Sequence, residues 1–307
     1  PGILGHEIIG TIEEIGRAIG SDLQGQALRT GDRITWTEYF YCGECYYCAV
    51  LDTPQKCINI RKYGHEGSDE APHFLGGFAE YCYILPRTGI VRIPDDMSDE
   101  EAAPVMCGVP TMVSATESAS IGIGDTVVIQ GLGLLGLYGI SIAHARGART
   151  IIGLDSVETR LELARKFGAD QVFNVSKKSA DDLVGAVRDA CPPDGADAVI
   201  EVCGDPAVIP QGLEMLRVGG RYAVTGITFP NAYVSLDVNR ILARMATVKG
   251  VHNYHPRHLV QALDFVERYR STFPFKDLVD GRFALRDLDL AFKSAVDRRV
   301  VRAAVVP

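Results

Sequence analysis

From residue 125 onward the chain alternates short apolar runs with helical patterns, and this alternation restricts its fold more than any other feature. TVVIQ (126–130) is a five-residue run of the kind that forms a buried strand. Gly131-Leu-Gly133-Leu-Leu-Gly136 follows at once and opens a helical stretch to about Ala145. TIIGLD (150–155) reads as a second strand, and ETRLELARKFG (158–168) as an amphipathic helix closed by Gly168. ADAVIEVCG (196–204), GRYAVTGI (220–227) and ATVKGVHNY (246–254) continue as strands. Alternating β and α units of this kind predict an α/β fold, a doubly wound (Rossmann) parallel sheet with helices on both faces.

A glycine-rich turn between a strand and a helix has a chemical use. Gly131 can make the tight turn, Gly133 lets backbone approach a pyrophosphate, and Gly136 allows close helix–strand packing. Amides at the helix start then face the phosphates. Asp155 ends the second strand roughly 20 residues further on, where a carboxylate accepts hydrogen bonds from an adenosine ribose. That carboxylate repels a 2′-phosphate, so NAD is expected over NADP. Arg160 can hold a phosphate, which keeps NADP as the alternative. The competing account makes the glycines packing residues and Asp155 a solvated strand end.

At 307 residues the chain is long for one core, and two domains are expected. Residues 1–95 carry β-branched residues and glycine, with Ile8–Ile15 and Arg33–Tyr39 reading as short strands. Ser98 reads as the N-cap of a helix, and HPRHLVQALDFVERY (255–269) as another helix. Lys and Arg number 31 against 39 acidic residues, a formal charge of −8 with no basic run, so no nucleic-acid partner is expected. No apolar stretch reaches the ~20 residues of a membrane span. The opening PGILGHEIIG is no signal peptide, and a cytoplasmic location is expected.

Four of the eight cysteines fall close together, at Cys42, Cys45, Cys48 and Cys57. Repeated CxxC spacing lets sulfurs converge on one tetrahedral ion, and four thiolates leave no open position, so a structural zinc is favoured. An iron–sulfur cluster or two disulfides are the alternatives. Cys82, Cys107, Cys191 and Cys203 are scattered. Gly5-His6-Glu7 sets an imidazole beside a carboxylate, and Cys107 lies far downstream. Taken separately, His6 reads as an ordinary satisfied polar residue and Cys107 as core packing.

GHEIIGTIEEIG (5–16), GDRI (31–34), the CxxCxxC cluster, Cys107 with Thr111 four residues on, and the GLGLLG turn occur in that order. Together, and through the closing AFKSAVDRRVVRAAVVP, they resemble the zinc-dependent medium-chain alcohol dehydrogenases over essentially the whole chain. PQKCINIRKYGHE (54–66) and GVHNYHPRHL (250–259) are similar to the bacterial branch of phosphonate-catabolism-associated alcohol dehydrogenases. The resemblance implies a mostly-β GroES-like catalytic domain over residues 1–108 with the zinc lobe at about 40–60. It implies an NAD-binding domain over 109–252 and a return to the catalytic domain over 253–307. His6 and Cys107 match catalytic zinc ligands, and Glu7 matches an acid that can exchange onto the metal. Cys42, Cys45, Cys48 and Cys57 match structural zinc ligands. Thr111 matches a residue beside the nicotinamide; Gly131, Gly133, Leu135, Gly136, Asp155, Arg160 and Ile227 match the cofactor site. Family members carry a segment before the GHE motif with another zinc-binding cysteine and a hydroxyl that relays the alcohol's proton. A complete catalytic zinc site is expected only with that segment.

The reaction so implied is reversible hydride transfer between a secondary or functionalised alcohol and NAD, in a homodimer or homotetramer joined through the cofactor domains. His65 and Glu66 read as a pocket or relay pair, or as an ordinary surface pair; Trp36 and Tyr39 read as pocket lining, or more simply as core. Two rivals remain: a zinc-free quinone or enone reductase of the same fold, and a catalytically silent cofactor-binding protein.

Overall fold

The structure is a computed structural model that describes residues 1–17 and 19–307. It divides into two compact units, one of residues Pro1–Pro110 with Asn253–Pro307 and one of Thr111–His252. The first unit's opening segment ends at Pro110, inside the helix Gly108–Ser118.

In the first unit, strands β1 (Gly10–Thr11), β2 (Arg33–Trp36) and β5 (Ile90–Arg92) form one antiparallel sheet in the order β1-β2-β5. A second, two-stranded sheet pairs β3 (Tyr39–Phe40) with β4 (Arg61–Lys62). The stretch Ile8–Ile15, expected to be a strand, is one only over two residues. Arg33–Tyr39 is likewise broken at Thr37 and Glu38, because the chain leaves one sheet there and enters the other. That break positions Glu38. The core gathers Ile8, Ile12, Ile34, Trp36, Tyr63 and Met106, and Tyr39 is fully buried. Tyr39 is therefore a core residue, while Trp36 packs in the core and also lines a cavity. Ser98 caps the helix Asp99–Ala102: its hydroxyl accepts from the Glu101 amide while the Glu101 carboxylate accepts from the Ser98 amide. The helix Pro256–Tyr269 carries its proline in the first turn, where a missing N–H costs nothing.

The second unit holds β6 (Thr126–Gln130), β7 (Thr150–Asp155), β8 (Gln171–Asn174), β9 (Ala196–Glu201), β10 (Leu216–Val224) and β11 (Thr247–Gly250). All six are parallel, in the order β11-β10-β9-β6-β7-β8. Every residue of β6 is buried, as a central strand covered on both faces requires. Helices Leu134–Ala145, Glu158–Lys166, Ala180–Ala190 and Val208–Met215 supply the crossovers. The first unit closes with β12 (Gly281–Ala284) parallel to β13 (Ala303–Val306).

Candidate active site

The glycine turn has the geometry that its residues predict. Gly131 sits at φ +97°, and a Cβ there would lie 2.6 Å from the Cβ of Cys203. A Cβ on Gly136 would lie 1.9 Å from the Gly131 carbonyl oxygen, so the helix can start this close only without a side chain. Gly133 is different: nothing lies within 4 Å of its would-be Cβ. Gly133 is also the N-cap of the helix Leu134–Ala145, and no side chain caps it. Amides of the first turn are thus left for an anion. Leu135 is half-buried in that turn, and Ile227 is half-buried just past β10.

Asp155 is buried at the end of β7. Its Oδ2 accepts from the Leu132 amide at 2.7 Å and its Oδ1 from the Val157 amide at 2.9 Å. Arg160 Nη1 stands 3.7 Å from Oδ2. The carboxylate therefore ties the glycine turn to the loop after β7, and Arg160 lies beside it. Thr111 is buried in the helix Gly108–Ser118.

In the first unit the four cysteines converge. Their sulfurs all lie within 4.8 Å of one another. Cys45–Cys48, Cys42–Cys57 and Cys45–Cys57 stand at 3.5, 3.5 and 3.9 Å. A tetrahedron with metal–sulfur bonds of ~2.3 Å has edges of about 3.8 Å, so the cage fits zinc. All four thiols are free, which removes the disulfide alternative. Amides of Glu44 and Cys45 pull the Cys42 thiol down to about 6, while burial pushes Cys48 up to about 12. The lobe has little core of its own. Tyr46, Val50, Leu51 and Ile58 are exposed, and its helix Tyr46–Ala49 is a single turn. An ion is what such a lobe can fold around.

The second donor set is His6, Glu38 and Cys107, with ligand atoms within 4.8 Å of one another. Sequence reasoning identified the imidazole and the thiol and missed the buried carboxylate. Burial, and then the carboxylates of Glu38 and Glu7, push the Cys107 thiol well above its usual value. An imidazole, a thiol and a buried carboxylate this close together are donor types that zinc takes, and a cation among them would favour the thiolate. The Glu38 amide donates to the hydroxyl of Tyr254, which donates to the Met106 carbonyl next to Cys107. Lys62 Nζ is 3.7 Å from the Glu38 carboxylate.

Glu7 does not join this set. Its Oε1 accepts from Arg302 Nη2 at 2.6 Å, so the expected exchangeable ligand is held in an ion pair. His65 is exposed yet stacks against His6, with ring centroids 5.2 Å apart. Glu66 is used locally: it accepts from the Lys62 amide and pairs with Arg61. A cavity of about 1830 Å³ in the first unit is lined by His6, Glu7 and His65 with apolar side chains such as Ile8, Trp36 and Phe78.

Residues 1–95 match the alcohol dehydrogenase GroES-like domain and residues 135–268 the zinc-binding dehydrogenase domain. The chain is 32% identical to an L-threonine 3-dehydrogenase from Pseudoalteromonas atlantica, over 82% of this chain and 68% of that one. It is 28% identical to the 5-exo-hydroxycamphor dehydrogenase of Pseudomonas putida, over 95% of this chain and 80% of that one. The chain belongs to the zinc-dependent medium-chain alcohol dehydrogenase family. An alcohol dehydrogenase from Thermotoga maritima superposes with a TM-score of 0.93 at 32% identity, covering 100% of this chain and 84% of that one. A benzyl alcohol dehydrogenase from Acinetobacter calcoaceticus gives 0.79 at 27% identity, over 99% and 84%.

In this dehydrogenase one member of the donor set and two residues near it carry little local signal. Glu38 lies in a strand break, Tyr254 beyond the parallel sheet, and Arg302 near the far end of the chain. Only the short interval between β2 and β3 hinted at Glu38, since a charged residue amid RITWTEYF interrupts an apolar run.

Proposed function

We propose that this alcohol dehydrogenase transfers a hydride between a secondary or functionalised alcohol and NAD, with zinc at both donor sets. The observation that carries the reading is the convergence of His6, Glu38 and Cys107 in a chain that also carries the glycine turn and Asp155. A zinc held there would supply a Lewis acid for the alcohol oxygen, and a bound nicotinamide would supply the hydride acceptor. His6, Cys107 and Glu38 would hold the ion, and Tyr254 fixes the backbone at Glu38 and at Met106, next to Cys107. Arg302 holds Glu7 beside them as a fixed negative charge. Gly133 leaves room for the pyrophosphate, and Asp155 orients the ribose and disfavours a 2′-phosphate, which supports NAD over NADP.

The substrate class rests on the relatives, whose names include a threonine and a hydroxycamphor dehydrogenase; both are secondary alcohols. Assignment to the phosphonate-associated branch rests on residues 54–66 and 250–259 alone. Eight free cysteines, four of them in a zinc cage, support a reducing compartment such as the cytoplasm. No helix of the described residues is long and apolar enough to cross a membrane. A homodimer or homotetramer is supported by β11, an edge strand exposed along its length, with Val238, Leu242 and Met245 exposed nearby.

Metal analysis tests the reading: it requires one zinc for each donor set, together with NADH formation from a panel of alcohols. Zinc in the cysteine cage alone, with no turnover, would favour the silent cofactor-binding protein. No zinc would favour the reductase.

A further inference from the structure

One buried carboxylate in the second unit has no part in the reading above. Glu201 ends β9 and is fully buried. The sheet order places β9 beside β6, and the strands run outward from this pair in both directions. That is the switch point of a doubly wound sheet, where a ligand crosses the strand ends. The Glu201 main chain already serves the sheet, since its carbonyl accepts from the amides of Thr225 and Gly226 at 3.0 and 3.1 Å. Its side chain does something else. Oε1 accepts from the Gly204 amide at 2.6 Å, and Oε2 accepts from the Gly226 amide at 2.9 Å.

The carboxylate thereby ties the loop after β9 to the loop after β10. Both loops are built around it: a Cβ on Gly226 would lie 2.7 Å from Oε1. The Cys203 thiol is hydrogen-bonded to Glu201, and the Cβ and backbone of Cys203 stand against Gly131, the first glycine of the turn. An apolar side chain would fill the same space without the cost of burying a carboxylate. What it would not do is fix two loops at once. Asp155 performs the matching task on the other side of β6, joining the turn to the loop after β7.

In a doubly wound fold the adenosine ribose lies at the end of the second strand and the pyrophosphate at the glycine turn. The other half of the dinucleotide then extends over β9 and β10. We propose that Glu201 is a positioning residue for the nicotinamide half of the cofactor, acting through the backbone of residues 202–204 and 225–227. Ile227, implied at the cofactor by the family resemblance, follows directly on the tied Gly226. The proposal rests on the dinucleotide reading of this unit.

The test compares two probes, NADH and AMP, on the full chain and on Glu201→Gln. Glutamine keeps the shape but turns one acceptor into a donor, so that an amide hydrogen of Gly204 or Gly226 meets another N–H. NADH affinity should fall by roughly tenfold, while AMP, which reports the adenosine half, stays within about twofold. Gly226→Ala pushes on the same carboxylate from the opposite side and should give the same selective loss. A melting scan confirms that each variant is folded. Folded variants that bind both probes like the parent, or lose both in parallel, overturn the proposal. A parent chain that binds neither probe refutes the dinucleotide reading itself and takes this inference with it.

Discussion

The three glycines of the turn make separable demands, and alanine at two of them should break the protein in opposite ways. Gly133 has φ −69° and ψ −168°, which alanine adopts without strain, and open space where its Cβ would point. Gly133→Ala should therefore leave the stability of the cofactor-free protein within about 1 kcal/mol, because the gain from a less flexible unfolded chain is offset by alanine's poor fit at an N-cap. That corresponds to a change in Tm of no more than about 4 °C. The same methyl group stands where the pyrophosphate would approach. Overpacking there costs about 1–3 kcal/mol of binding, or roughly 5- to 150-fold in affinity for NADH. Gly136→Ala meets the opposite situation. Its Cβ would lie 1.9 Å from the Gly131 carbonyl oxygen, against the 3.0 Å below which real contacts essentially never fall. The turn and the helix must part by at least about 1 Å, and a cost near 3 kcal/mol lowers Tm by about 6–12 °C even without cofactor. Thermal melts with and without NADH, and a fluorescence titration of NADH, measure both effects. A Gly133→Ala protein that binds NADH as tightly as the parent would refute the reasoning, because the open space would then have no ligand to hold.

Asp155→Ala leaves the Leu132 and Val157 amides without their acceptor and should weaken NAD binding by roughly tenfold while narrowing the preference over NADP; calorimetry with both cofactors checks this. Glu38→Ala should remove most of the zinc at the His6 and Cys107 set and leave the cysteine cage loaded, whereas Cys48→Ser should do the reverse, and metal analysis by mass spectrometry separates the two. Zinc in the cage should be lost on acidification. Protons compete with the ion for the four thiolates, so bound zinc should fall progressively as the pH drops, and a zinc content independent of pH would contradict the assignment.

Much of the fold was legible because its code is local. The run TVVIQ, the glycines after it and Asp155 at the end of the next run specify strand, turn and strand by residue type and spacing alone. The Cys42–Cys57 spacing does the same for a tetrahedral cage, because a short loop limits where four sulfurs can go. The short strand β8 escaped notice, and so did the helix Ala180–Ala190, although it is amphipathic and capped by Ser179. Ile8–Ile15 looked like a strand because it is β-branched, yet only Gly10–Thr11 finds partners on β2.

The second donor set lies at the other extreme. Residue types showed that His6 and Cys107 could bind a metal, and the order of motifs fixed the family. Which carboxylate joins them was decided by the path of the chain. Glu7 is adjacent to His6 in sequence, but Arg302 reaches it from the other end of the chain and takes its charge. Glu38, distant from both ligands along the chain, is turned inward where β2 gives way to β3, with its amide held by Tyr254. Backbone conformation is encoded over a few residues, and so are strand, turn and cage. The pairing of buried charges depends on which groups the folded chain brings within a few ångströms, and only the tertiary structure supplies that.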